Sequence, residues 1–308
     1  MSAVAIENRP SPYPAPSLDA SAAPTDGTLP TLPTLPQTSD RPMLMPHHTG
    51  WHRPLFGDRY GFGMDDNVIP DAVIKDAARG LLPRLGAGGL SLDAVAGHGG
   101  FALADVESVF PHRDDLLTAL VIDAYDESGA AMEQADQSAA DAGVPAGGRL
   151  LAVMRALRQW SFAHPAEFAL IYGSPVPDYH APQDTVLPAS RTPAVLAGIV
   201  RSALAAGELT PPGRSLPGTP LLLPTAVELF GGVPDAPFSD VIERGIVLWS
   251  NLIGLLVFQV FSRTHDSVKD EAAFFDCAVA VAAETIGLEV PLDGDPVDAP
   301  GPGARQPR

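Results

Sequence analysis

An all-α fold is predicted, with a small three-helix unit preceding a larger helical one. Three observations carry it. Apolar residues recur at the 3.6-residue spacing of helix faces through most of residues 65–290. No run alternates apolar and polar residues in the manner of a half-buried strand. The periodic blocks are punctuated by glycine, proline and short polar residues, the usual starts and stops of helices. The flanks differ: residues 1–64 hold PSPYPAPS and TLPTLPTLP, and residues 291–308 are rich in Pro, Gly and Asp. Such segments bury too little apolar surface to offset their ordering entropy, so both read as disordered tails. His47, His48 and His52 lie near Trp51 in the first tail, but no second group of ligands completes a metal site.

The first helix is PDAVIKDAARGLLPRL, with Val73, Ile74, Ala77, Ala78, Leu81, Leu82 and Leu85 on its apolar positions. Pro70 costs no backbone bond at its start, and Gly86 stops it. Pro83 falls in the last turn, where it removes one bond, and predicts a bend or an early end. Ser91 then caps LDAVAG by accepting from a free N–H. Gly97, Gly99 and Gly100 surround His98 and make a turn. A second short helix spans about 102–109 and Pro111 ends it. Asp114 and Asp115 open a long helix, where negative charge suits the helix dipole.

The larger unit, residues 126–290, continues with RLLAVMRALRQWSFAH, whose Leu150, Leu151, Met154, Leu157, Trp160 and Ser161 share a face. PAEFALIYG, TPAVLAGIVRSALAAG, FSDVIERGIVLWSNLIGLLVFQVFSR and EAAFFDCAVAVAAETIGL follow as helices. FSDVIERGIVLWSNLIGLLVFQVFSR is apolar all round at its centre, so it is buried or lies at a subunit interface. PGTPLLLPTAVELFGG stays ambiguous, a short apolar run between prolines.

Composition narrows the functional classes. The 308-residue chain carries a formal net charge of −18, against a broad basic surface that coats nucleic acid. Its single cysteine, Cys277, excludes an internal disulfide framework and fits a reducing cytoplasm. It reads as a small buried hydrophobe rather than a redox sensor. No secretory signal is visible. The most apolar run, LIGLLVFQVF, is about half of the roughly 20 residues that span a bilayer, so no membrane association is expected. There is no phosphate-binding glycine loop, no G-x-S-x-G elbow and no paired metal-ligand motif. No catalytic residue, metal or cofactor is therefore assigned, and an enzyme on a helical scaffold is the least favoured reading.

Residues 92–117, LDAVAGHGGFALADVESVFPHRDDLL, have the plan of a helix-turn-helix, whose second helix enters the DNA major groove. With its flanks, the stretch 68–125 resembles the DNA-binding part of the TetR family of bacterial regulators. The family pattern is a helix, then S/T-L-x-x-V/I-A, a glycine turn, a short recognition helix ending in F-P, and a charged start to the fourth helix. The resemblance extends over 148–290. A WHG-type C-terminal ligand-binding domain is similar in Trp160, in HPAEFALIYGSPVPDYHAP and in Trp249-Ser-Asn-Leu-Ile-Gly254, where Ile253 replaces the motif's histidine.

The resemblance implies DNA contacts from Ser91, Ala102, Leu103, Ala104, Glu107, Ser108 and Arg113. His98 in the turn is a weaker candidate. Several of these positions depart from the family. Ala102 stands where Ser or Thr is usual, and Glu107 where an aromatic touches phosphate. Ser108 and Val109 replace a frequent basic residue or histidine. Over 68–125, Lys75, Arg79, Arg84 and Arg113 oppose eight acids, so this segment is −4. A carboxylate facing phosphate is repelled. Trp160, Phe168, Tyr172 and Trp249 are candidate linings of an apolar ligand pocket, Tyr179 its lid and Gln259 its polar handle. The implied function is a ligand-responsive repressor that binds operator DNA as a homodimer through its last two long helices and is released by a small apolar effector. The alternative is a degenerate relative that has lost DNA binding and acts as a ligand-binding or protein-interaction module.

Overall fold

Pro70 precedes α1 (Asp71–Leu85), whose buried stripe is Ile74, Ala78, Leu81 and Leu82. Pro83 does not stop this helix early. It lies so near the C-terminus that a single bond is forgone, and Gly86, at φ 62°, ends the helix after Leu85. The structure, a computed structural model, describes residues 69–216, 221–264 and 267–292. The expected tail 1–64, with its histidines, lies outside them, as do residues 293–308.

A 3₁₀ turn, Ala87–Gly89, leads to α2 (Leu92–Gly99), capped as expected by Ser91, which accepts from the Ala94 N–H at 3.2 Å. Gly100 takes the left-handed conformation at φ 71°, and the Phe101 N–H returns to the Ala96 carbonyl. That turn aims α3 (Leu103–Val109), with Ala102 as its N-cap and Phe110 as its stop. The His112 N–H then donates to the Asp115 carboxylate at the start of α4 (Arg113–Asp141).

The body comprises α5 (Ala146–Ala163), α6 (Pro165–Tyr172), α7 (Val186–Ala206), α8 (Pro224–Phe230), α9 (Val241–Val260) and α10 (Glu271–Ala283). Leu150, Leu151, Met154, Leu157, Trp160 and Ser161 are all buried, so α5 presents the face its periodicity predicts. Pro165 opens α6 and Asp270 caps α10 by accepting from Ala272 and Ala273. Of the ambiguous run 217–232, residues 224–230 form α8, and residues 217–220 lie outside the described residues. Among the described residues there is no strand, only an isolated antiparallel bridge between Leu209 and Leu288.

Two cores result. Ile74, Leu82, Val95, Val106, Phe110, Leu116, Leu117 and Leu120 form the head core. Ala124, Met132, Leu157, Phe168, Ile199, Leu252 and Phe275 belong to the body core. The expected boundary at 125 is thus a change of packing partner along one continuous helix, α4, and not a break in the chain. One reading needs correction. Cys277 is exposed, not a buried hydrophobe, because it faces away from the Phe275–Val279 side of α10. At 20 residues, α9 is as long as a bilayer-spanning helix, yet it packs Leu248, Leu252 and Leu256 into the body core. Its opposite side leaves Val247 at 51% and Phe258 at 55% exposed.

Candidate nucleic-acid interface and effector cavity

The outward side of the head is built by α3. Val106 is buried and anchors it, and this leaves Ala102, Leu103, Ala104, Glu107 and Ser108 exposed. The Ser108 hydroxyl is already turned back to the Asp105 carbonyl at 2.7 Å. Ser91 accepts as a cap, which leaves its own O–H proton for a phosphate. His98 is exposed on α2 and lies over Gly80. A Cβ on Gly80 would sit 2.9 Å from its Nε2, so this glycine makes room for the imidazole.

The cations of the head are largely committed inside the protein. Lys75 pairs with Asp71 and Asp123, and Arg79 with Asp76, Asp123 and Glu127. Arg113 does not point to phosphate. Its Nε donates to the Leu90 carbonyl at 2.8 Å, and its Nη2 to the Ala87 carbonyl at 2.9 Å and the Gly88 carbonyl at 3.3 Å. It ties the 3₁₀ turn before α2 to the start of α4, satisfying the Leu90 carbonyl and adding a second donor to that of Ala87, which the Leu90 N–H also reaches. Arg84 is exposed in the last turn of α1.

In the body a cavity of about 250 Å³ lies between α7, α8 and α9. Ala194, Ala197 and Val200 of α7, Phe230 of α8, and Ile242 and Trp249 of α9 are among its walls. Of the six residues expected to hold a ligand, Trp249 alone lines this space. Tyr172 lies behind it, its ring edge-on to Trp249 at 6.4 Å and to Tyr125 at 6.2 Å. Its hydroxyl is 3.2 Å from that of Thr192, and burial pushes its phenol up to about 12. Phe168 packs behind Tyr172, at 5.2 Å, as a core residue.

The other three candidates are elsewhere. Trp160 packs between α4 and α5, stacked on His164 at 5.7 Å. Tyr179 is no lid: its hydroxyl meets Thr118 of α4 at 3.1 Å and its ring packs on the head core. Gln259 is no polar handle. It accepts from Arg158 at 2.7 Å and donates to the Glu271 carbonyl and carboxylate, and so brackets α5, α9 and α10. The lining alanines, Pro193, Phe230 and Gly245 escaped sequence reasoning. Small residues within apolar helices carry no local mark of a void, and α8 itself was ambiguous.

These two sites sit in a chain with clear relatives. It is 33% identical, over 237 residues, to the HTH-type transcriptional regulators Rv1816 of Mycobacterium tuberculosis and Mb1846 of Mycobacterium bovis. The match covers 73% of this chain and 97% of each relative. Residues 150–282 match the family described as the tetracyclin repressor-like C-terminal domain. The chain belongs to the TetR family of transcriptional regulators. Among solved structures, regulatory protein SCO4313 is 28% identical with a TM-score of 0.52, over 70% of this chain and 95% of that one. A protein from Rhodococcus sp. RHA1, 21% identical with a TM-score of 0.53 over the same shares, has the same fold. TetR-family membership agrees with the all-α architecture.

Proposed function

We propose that this TetR-family regulator is a cytoplasmic repressor that binds operator DNA as a homodimer and releases it when a small apolar molecule fills the body cavity. One observation carries the reading. The outward face of α3 and the cavity are joined by shared helices: α4 runs through both cores, and α6 places Phe168 in the body core while Ala166 and Leu170 pack on the head core. A ligand that favours one body arrangement therefore changes the position of the head, and operator affinity falls by its differential affinity for the two arrangements.

Dimerisation through α9 and α10 is supported by their exposed apolar stripe, in which Val247, Phe258, Phe274 and Val281 are 51%, 55%, 42% and 64% exposed. A second copy packed there makes a four-helix bundle and sets two α3 helices about 34 Å apart, the spacing of successive major grooves. Ser91, Ala102, Leu103, Ala104 and Ser108 are then the groove-facing contacts, with Glu107 opposing phosphate.

The alternative, a relative without DNA binding, is favoured by the internal pairing of Lys75, Arg79 and Arg113. A salt titration of binding to genomic fragments, with the oligomeric state measured alongside, separates the two. Binding with a negative log–log salt slope that sharpens to particular fragments supports the repressor, and the slope counts phosphate contacts. A folded dimer that binds nothing at low salt establishes the alternative.

A further inference from the structure

The cavity between α7, α8 and α9 also restricts what occupies it. The inference rests on the reading that this cavity holds the effector, and it concerns the effector's chemistry. The hydrogen-bonding side chains in the lining are Ser190 and Trp249, both neutral. The Ser190 hydroxyl already donates to the Leu187 carbonyl at 2.7 Å. The arginines on the flanking helices have other partners. Arg191 pairs with Asp126 and Glu133, and Arg201 donates to the Phe230 carbonyl. Arg244 donates through both Nη atoms to Asp240 and the Thr285 carbonyl, with its Nε buried and unpartnered among the described residues. Asp240, next to the lining residue Val241, has its carboxyl held below the usual range by that same Arg244. A carboxylate, phosphate or ammonium entering this space would lose its hydration and meet no counter-charge.

Size adds a second restriction. An apolar cavity of about 150 Å³ holds benzene, six carbon atoms. By proportion, 250 Å³ holds about ten non-hydrogen atoms. The walls explain the volume. Ala194, Ala197 and Gly245 place little side chain where facing helices would otherwise fill the gap, while Phe230 and Trp249 offer aromatic faces.

We infer that the effector is an uncharged, apolar molecule of about ten non-hydrogen atoms, without carboxylate, phosphate or ammonium. Acyl conjugates of large polar carriers and long-chain fatty acids are outside this class.

The test uses the full chain and three probes: butylbenzene, 4-phenylbutanoate and dodecylbenzene. Binding is read by calorimetry and by tryptophan fluorescence, and is repeated on Ala197→Trp and on Ala226→Trp in α8, each checked by its thermal melt. The expected result is saturable butylbenzene binding, at least a hundredfold tighter than 4-phenylbutanoate and at least tenfold tighter than dodecylbenzene. Both variants should weaken it tenfold or more. If 4-phenylbutanoate or dodecylbenzene binds as well as butylbenzene and both variants block it, the inferred class is wrong and the cavity remains the site. If no probe binds, or binding ignores both variants, the cavity reading itself fails along with the class. None of these readouts involves DNA, so each is distinct from the repressor's other requirement.

Discussion

The head and the body use their polar side chains in opposite ways. In the head, Lys75, Arg79 and Arg113 face inward to the protein's own acids and carbonyls, so the shape of a groove reader is kept while its exposed helix carries Asp105 and Glu107. In the body, ion pairs such as Arg191 with Asp126 and Glu133, and Arg149 with Asp136, brace the rims of helices, and the space between α7, α8 and α9 is left apolar. Surface pairs such as those of Arg191 contribute only about 0–1 kcal/mol each, and the bidentate Arg149–Asp136 pair is partly buried, so apolar burial carries most of the body's stability. The contrast shows that a helix-turn-helix can be complete as a fold while its electrostatics are set by intramolecular partners.

The largest expected effect breaks the comparison at its hinge. Phe168 is fully buried in the body core, on the helix that also packs on the head. Phe168→Ala should lose about 3–5 kcal/mol in urea unfolding. If head and body form one cooperative unit, helicity and head-specific hydrogen exchange fall together. A head that stays protected at unchanged denaturant would show the two regions to be independent.

Arg113→Ala tests whether the head's cations are structural. Removing the guanidinium leaves the Leu90 carbonyl without its donor and takes the second donor from the Ala87 carbonyl, at about 1–3 kcal/mol. The salt slope of DNA binding should not change. Unchanged stability with a slope reduced by about 1 would instead make Arg113 a phosphate contact.

Tyr172 gives the body a signature in alkaline pH. Burial raises its phenol to about 12, so between pH 10 and 12 the unfolded chain has lost a proton that the folded chain keeps. Stability therefore falls as pH rises through that window, by at most about 1.4 kcal/mol per pH unit from this group. Tyr172→Phe should flatten the decline, and Tyr125, also raised by burial, should leave a residual slope. An identical decline in the variant would remove Tyr172 as its source.

The smallest effect addresses the acidic reader helix. Glu107→Gln removes one exposed carboxylate from the outward face of α3. A surface charge of this kind is worth about 0.2–1 kcal/mol, so DNA affinity should rise by a factor of roughly 1.4 to 5. A fall in affinity would place Glu107 on a base edge instead, accepting from cytosine N4.

Local chemistry made much of the fold legible before any tertiary contact was known. Pro70 opening α1, Gly86 closing it and Ser91 capping α2 act within a few residues of themselves. The 3.6-residue period of α5 states its buried face for the same reason. The helices were therefore readable in order.

The partners of the polar side chains were not legible, since they come from far along the chain. Gln259 meets Arg158 101 residues away, Tyr179 meets Thr118 across 61, and Arg113 reaches Leu90 across 23. Nothing local distinguishes a glutamine that brackets helices from one that meets a ligand, or an arginine held by carbonyls from one that meets phosphate. The cavity is the extreme case. A void has no residue of its own and exists only because three separated helices place small side chains at the same depth. The sequence by itself determined the helices and their order, because backbone hydrogen bonding is local. Only the tertiary structure decided which charges are committed internally and where space remains, because both depend on what each helix face meets.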